Sequence, residues 1–198
     1  MTDKEFLDKI KMLVLADAEN SGILASLTAA QAFIESNKGN SQLAKAPNNN
    51  LFGMKGTYNG QSVIMKTKEF VNGKYIVVDA AFRKYPSWLD SIRDHSGLFN
   101  KLSRYKNLRG ERDYKTACRK VQEDGYATSP SYASTLINII EKYHLNEWDA
   151  PEPVDLPLTE AINVIAERVI EGKFGYGHEL RASSIYAMVR ARVNELLS

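Results

Sequence analysis

The sequence is short of the residues that metal and disulfide chemistry need. It has one cysteine, Cys118, and three histidines, His95, His144 and His178. A lone cysteine excludes an intrachain disulfide and suits a reducing compartment. The histidines stand far apart in no paired ligand motif, so no metal and no other cofactor is expected. A dominant charge sign is missing too. The 26 Lys and Arg against 24 Asp and Glu leave a formal charge of +2, too small to argue for nucleic acid as a partner. No apolar run approaches the roughly 20 residues of a membrane span, so no membrane insertion is expected. The opening MTDKEFLDKIKMLVLADAENSG has no basic start, no continuous apolar stretch and no small-residue cleavage site, and a secretory signal is not expected. Prolines number six, but Pro151, Pro153 and Pro157 are crowded together.

What is present is periodic. Phe6, Leu7, Ile10, Leu13 and Val14 recur at helical spacing, and that helix should stop near Asn20-Ser21-Gly22. Ile23, Leu24, Leu27, Ala30 and Ile34 predict a second, more apolar helix, buried on most sides. From Asn37 to Gly60 the Asn, Lys and Gly residues predict a loop with a short helical turn at Ser41–Lys45. The period then changes to two. Ser62–Phe70 and Lys74–Phe82 are rich in β-formers and flank Asn72-Gly73, the pair a type I′ hairpin turn needs. Pro86 opens another helix to about Lys101, and two more follow around Asp113–Glu123 and Pro130–His144. The Pro-rich stretch 149–157 reads as a semi-rigid linker between a domain at 1–148 and a small helical unit at 158–198.

Two familiar chemistries are disfavoured. Cys118 lies mid-helix, as a packed core residue does. Gly172–Gly177 lacks both a preceding strand and the Lys-Ser/Thr of a phosphate loop. Carboxylates remain, and Glu35 stands where the apolar helix gives way to the polar loop. A helical body with one inserted hairpin and an acid ending a buried helix has the layout of a lysozyme-like glycosidase. Glycosidic cleavage needs an acid held protonated near neutral pH, and partial burial raises a Glu pKa. By position alone the simpler alternative is a surface Glu at a helix end, although the helix dipole disfavours a carboxylate there.

Several motifs in order then carry a resemblance. Ala30-Gln31-Ala32-Phe33-Ile34-Glu35-Ser36, Ser41-Gln42-Leu43-Ala44 and Asn49-Asn50-Leu51-Phe52-Gly53-Met54-Lys55-Gly56 resemble the signature of glycoside hydrolase family 73, the peptidoglycan-cleaving β-N-acetylglucosaminidases of bacterial autolysins and phage endolysins. The likeness continues through Thr67-Lys68-Glu69-Phe70, Ala81-Phe82-Arg83-Lys84-Tyr85, Ser91-Ile92-Arg93-Asp94-His95 and Gly125-Tyr126-Ala127-Thr128. It implies a bacterial glycan strand as substrate and Glu35 as general acid. It also implies Glu69, on the hairpin, as the base activating water, with an exposed strand charge as the alternative. Asp94 and Tyr114 match cleft-lining positions, and Tyr126 belongs with them, although Asp94 is equally placed to cap a helix or pair with Arg93. Asn49, Asn50, Phe52 and Lys55 offer the amides and the aromatic face that sugar binding uses. For Phe52 the favoured alternative is a plug that fixes the loop to the core.

Residues 166–177 and 189–197 resemble the Cpl-7-type cell-wall-binding repeat, a three-helix bundle recognising muropeptide. That resemblance implies Lys173, Gly175, Gly177 and Arg181 as ligand contacts. Phe174 and Tyr176 depart from its usual Trp and Asn, and a helical dimerisation or stability module is the alternative. The expected fold class is therefore α+β: a lysozyme-like helical catalytic domain with an inserted β-hairpin lobe, then a small C-terminal three-helix bundle. The expected activity is that of a phage endolysin cutting the β-1,4 bond after N-acetylglucosamine, held in the host cytoplasm until a holin releases it to the wall. An N-acetylmuramidase, or a non-catalytic wall-binding or virion protein, is the alternative.

Overall fold

The structure is a computed structural model and describes residues 1–71 and 73–149; the side chains at positions 69 to 71 are outside that description. The C-terminal unit, with Lys173, Gly175, Gly177 and Arg181, lies outside the described residues. Within them the order is α1 (Asp3–Ser21), α2 (Ala25–Glu35), β1 (Ser62–Val71), β2 (Lys74–Arg83), α3 (Trp88–Lys101), α4 (Tyr114–Glu123) and α5 (Tyr132–Lys142). Short 3-10 helices at Ser103–Tyr105 and Leu145–Asp149 complete it. The domain is α+β, a helical body with one antiparallel hairpin.

Local chemistry sets the ends of these elements. Thr2 and Glu5 form a reciprocal capping box at the start of α1. Gly22 ends the helix at φ 72°, a left-handed conformation that costs glycine little. The expected opening of α3 at Pro86 is displaced: Ser87 is the cap, its hydroxyl accepting from the Asp90 N–H, because a side-chain acceptor satisfies a donor that proline cannot.

Helix α2 is the centre of the body. Every residue from Ala25 to Phe33 is buried, and the helix packs against α1, α4, α5 and the last 3-10 helix. Phe6, Ile10 and Val14 of α1, Ile92 and Phe99 of α3, Cys118 and Val121 of α4, and Leu136 and Ile140 of α5 close the core. Small residues at Ala25, Ala29, Ala30 and Ala32 let these neighbours approach α2 closely.

The N-terminus of α2 carries no side-chain cap of its own; its N-cap residue is Leu24. The cap comes from Asp149, whose Oδ1 accepts from the Ser26 N–H at 2.9 Å across 123 residues of sequence. Asp149, expected as the first residue of the linker, is thus bonded into the domain. Burial raises its pKa, and the hydrogen bonds from Ser26 and Ala25 oppose that shift.

The hairpin pairs in full register from Ser62 with Arg83 to Val71 with Lys74, and Glu69 pairs with Ile76. Gly73 turns the chain at φ 78°. The root of the hairpin is tied to the loop before it: the Arg83 N–H donates to Met54 O at 2.8 Å, and the Gly56 N–H to Ala81 O at 2.9 Å.

Candidate active site

Glu35 ends α2, and the backbone turns immediately behind it through Ser36, whose N–H donates to Ala32 O. The helix therefore delivers its last side chain to the edge of the body. By surface area Glu35 is exposed, yet burial of its carboxyl raises its pKa, and only the hydrogen bond from Tyr132 pulls the other way. The two observations fit one geometry, in which the carboxyl meets solvent on one side and protein on the others. Tyr132 Oη donates to Glu35 Oε1 at 2.9 Å, and Gln31 Nε2 donates to Tyr132 Oη at 3.2 Å. The result is an acid biased toward its protonated form and held by a hydroxyl at one oxygen, with the other left for a reacting proton.

Behind this trio lies an aromatic layer. Tyr132 stacks on Tyr126 with centroids 5.7 Å apart. Tyr126 in turn meets the edges of His95 and Phe99, and Phe52 stacks on His95 at 3.9 Å. His95 is 0% exposed and neither ring nitrogen has a partner. Burial alone drives its pKa down to about 3, so it is a neutral core ring and not an acid or base. Burial likewise pushes Cys118 up to about 12, which leaves no thiolate to act as a nucleophile.

Several of the expected substrate contacts are used internally instead. Asn50 is 1% exposed. Its Nδ2 donates to Met54 O at 3.0 Å and Arg83 O at 2.8 Å, and its Oδ1 accepts from the Met54 N–H. Asn50 therefore stitches the loop to the hairpin root and offers nothing to a sugar. Phe52, 6% exposed, is the plug that was the alternative to a sugar platform. Asn49 donates to Tyr85 O and Pro86 O. Tyr114 donates to Glu141 at 3.1 Å, joining α4 to α5. Tyr126 acts from behind, as the ring supporting Tyr132.

Asp94 receives Arg83 Nη1 and the Tyr85 hydroxyl on one oxygen, Oδ2, so α3 grips the end of β2. Lys55 is exposed, its backbone bridged to Phe82 and its carbonyl accepting from Arg83 Nε. Glu69 takes its place in the β1 ladder, while its side chain lies outside the described residues. Two open hollows of about 400 and 470 Å3 flank the loop, one over Tyr58 and Tyr85 and the other beside Ala44 and Trp88; Glu35 lines neither. Among the described residues no group of three His, Cys, Asp or Glu converges on a metal position.

Tyr132 and Gln31 were not foreseen as site residues. Tyr132, Leu136 and Ile140 make an i, i+4 stripe that marks a buried helix face, but nothing local says that the first ring of that stripe reaches Glu35, 97 residues away.

The profile of the glucosaminidase family, described as mannosyl-glycoprotein endo-beta-N-acetylglucosaminidase, matches residues 12–145. The chain belongs to this family. The matched segment starts in α1 and ends at Leu145, so it takes in α2 with Glu35, the hairpin and α5 with Tyr132. Among curated relatives, the exo-glucosaminidase LytG of Bacillus subtilis is 42% identical over 154 residues, 75% of this chain and 54% of LytG. A probable N-acetylmuramidase of Lactococcus lactis subsp. lactis is 37% identical over 73% of this chain and 34% of its own length. The chain thus spans about half or less of these relatives. Among solved structures, the catalytic domain of the autolysin Auto from Listeria monocytogenes superposes with a TM-score of 0.70 at 38% identity, covering 74% of this chain and 86% of that one. This glucosaminidase-family domain thus shares its fold with an autolysin catalytic domain.

Proposed function

We propose that this glucosaminidase-family domain is a peptidoglycan hydrolase that cleaves the β-1,4 bond after N-acetylglucosamine in the bacterial wall glycan. The observation that carries the proposal is the Glu35 carboxyl, raised in pKa by burial and held at Oε1 by Tyr132. Protonated Glu35 gives its proton from Oε2 to the glycosidic oxygen as the bond to the anomeric carbon breaks. Tyr132 keeps the carboxyl aimed and stabilises the carboxylate left behind. The family resemblance supplies Glu69 as the base that activates water, with assistance from the substrate's own N-acetyl group. Lys55, exposed on the loop, is a candidate for a sugar contact.

The rival reading is an N-acetylmuramidase, favoured by the Lactococcus relative of that printed name. The same acid on the same scaffold serves either linkage, so the choice rests on which sugar occupies the site. Reducing-end analysis of digested peptidoglycan separates them. New N-acetylglucosamine ends support the present reading, and new N-acetylmuramic acid ends support the rival.

A finer reading makes the chain a phage-type endolysin whose segment 158–198 anchors it to the wall through Lys173, Gly175, Gly177 and Arg181. Its support is the resemblance of that segment to the Cpl-7-type repeat. Deleting residues 154–198 should then slow lysis of whole cells and leave cleavage of soluble glycan fragments nearly intact, since a second weak site matters most on an insoluble polymer. Equal losses on both substrates would remove the anchoring role.

A further inference from the structure

Gln31 sits one helical turn before Glu35 on α2, so the two side chains share a helix face. It is 0% exposed in a stretch otherwise made of Ala29, Ala30, Ala32 and Phe33. One end of its amide is engaged, Nε2 donating to Tyr132 Oη at 3.2 Å. The other end, Oε1, is buried without a partner. An unpaired buried carbonyl is costly, and an apolar side chain of the same length would avoid that cost. Stability therefore gives a poor reason for a glutamine here.

The hydroxyl of Tyr132 gives a better one. A phenol oxygen has one proton to donate and lone pairs to accept with, whereas an amide NH2 only donates. With Gln31 Nε2 on one side and Glu35 Oε1 on the other at 2.9 Å, the polarity of the bridge is determined. The oxygen accepts from Gln31, so the proton points at Glu35.

We propose that Gln31 is a positioning residue for the acid: its amide locks the Tyr132 hydroxyl into donating to Glu35 Oε1, which reserves Oε2 for the transferable proton. The titratable groups around this bridge are Glu35 and Cys118 acting on Tyr132, and Tyr126, whose phenol is raised by burial first and then by Tyr132, Glu35 and Tyr105. Donation to Oε1 lowers the Glu35 pKa against the rise imposed by burial. The ring stack from Tyr126 holds Tyr132 in plane, and the Gln31 amide sets the remaining freedom, rotation of the O–H bond. The proposal rests on Glu35 being the proton donor.

The test titrates Glu35 directly by the carbon-13 shift of its carboxyl in the full chain, a readout independent of catalysis. Glu35→Gln assigns the signal, and its own loss of activity tests the acid separately. Gln31→Met removes the donor while keeping the length, so the Glu35 midpoint should move to higher pH, by less than in Tyr132→Phe. Turnover on soluble glycan should fall by about tenfold or less with KM little changed. In a Tyr132→Phe background Gln31→Met should move the midpoint no further, because its effect passes through the hydroxyl. Gln31→Leu gives the same comparison if the Met variant does not fold. An unmoved midpoint in the folded Gln31 variant, or an equal shift with and without the Tyr132 hydroxyl, overturns the proposal.

Discussion

The helical body and the hairpin are built differently. On one side Glu35 rides on a helix buried from Ala25 to Phe33, capped by a distant aspartate and backed by rings from Phe52 to Tyr132. On the other the hairpin is gripped at its root by Arg83, Tyr85 and Asp94. Farther out it leaves Ile64, Tyr75 and Val77 at 63%, 75% and 60% exposure. Packing holds the acid before any substrate arrives, whereas the hairpin is held by its ladder and by polar ties at its root, through Asp94, Asn50 and the loop backbone. A proton donor must meet the glycosidic oxygen within hydrogen-bond reach, so its place is worth fixing with core contacts.

Breaking each side should therefore give a different signature. The largest effect belongs to Glu35→Gln, which keeps shape and removes the proton. Peptidoglycan cleavage should drop by ~10²–10⁴-fold with folding and sacculus binding retained, as checked by dye release and a pull-down. Next comes Asp94→Ala, which frees Arg83 and Tyr85 at the hairpin root. Its kcat/KM should fall about tenfold, carried mostly by KM, since the acid side is untouched. The smallest is Asp149→Ala, which uncaps α2 from its far end. Chemical denaturation should show a loss of ~1 kcal/mol, with the specific activity of the folded fraction unchanged. An Asp149→Ala enzyme with intact stability and impaired turnover would reverse the comparison.

The sequence showed most where its signals are local. The α1 stop at Gly22 and the pairing of β1 with β2 depend on neighbours within a few residues, and both appear where expected. Glu35 was legible as the end of an apolar helix. What escaped notice depends on chain returning from afar. Asp149 reads as linker because prolines follow it closely, and nothing local points to Ser26, 123 residues away. Asn50 is expected in the cleft because its amide suits sugar hydrogen bonds, but the loop folds back and that amide satisfies Met54 and Arg83 instead. For Phe52 the plug is the favoured alternative to a sugar platform, and its burial and stack on His95 agree with it.

The most direct test of the central claim is the pH dependence of cleavage on a soluble glycan fragment. Burial favours protonated Glu35 and Tyr132 favours its anion, with burial the larger influence. Activity that needs the protonated acid is present below the Glu35 pKa and lost as pH rises through it. The alkaline limb should lie above the ordinary glutamate value of 4.5 and move farther up in Tyr132→Phe, because the anion has lost its donor. A limb at the ordinary value, or one that Tyr132→Phe leaves in place, would contradict the claim.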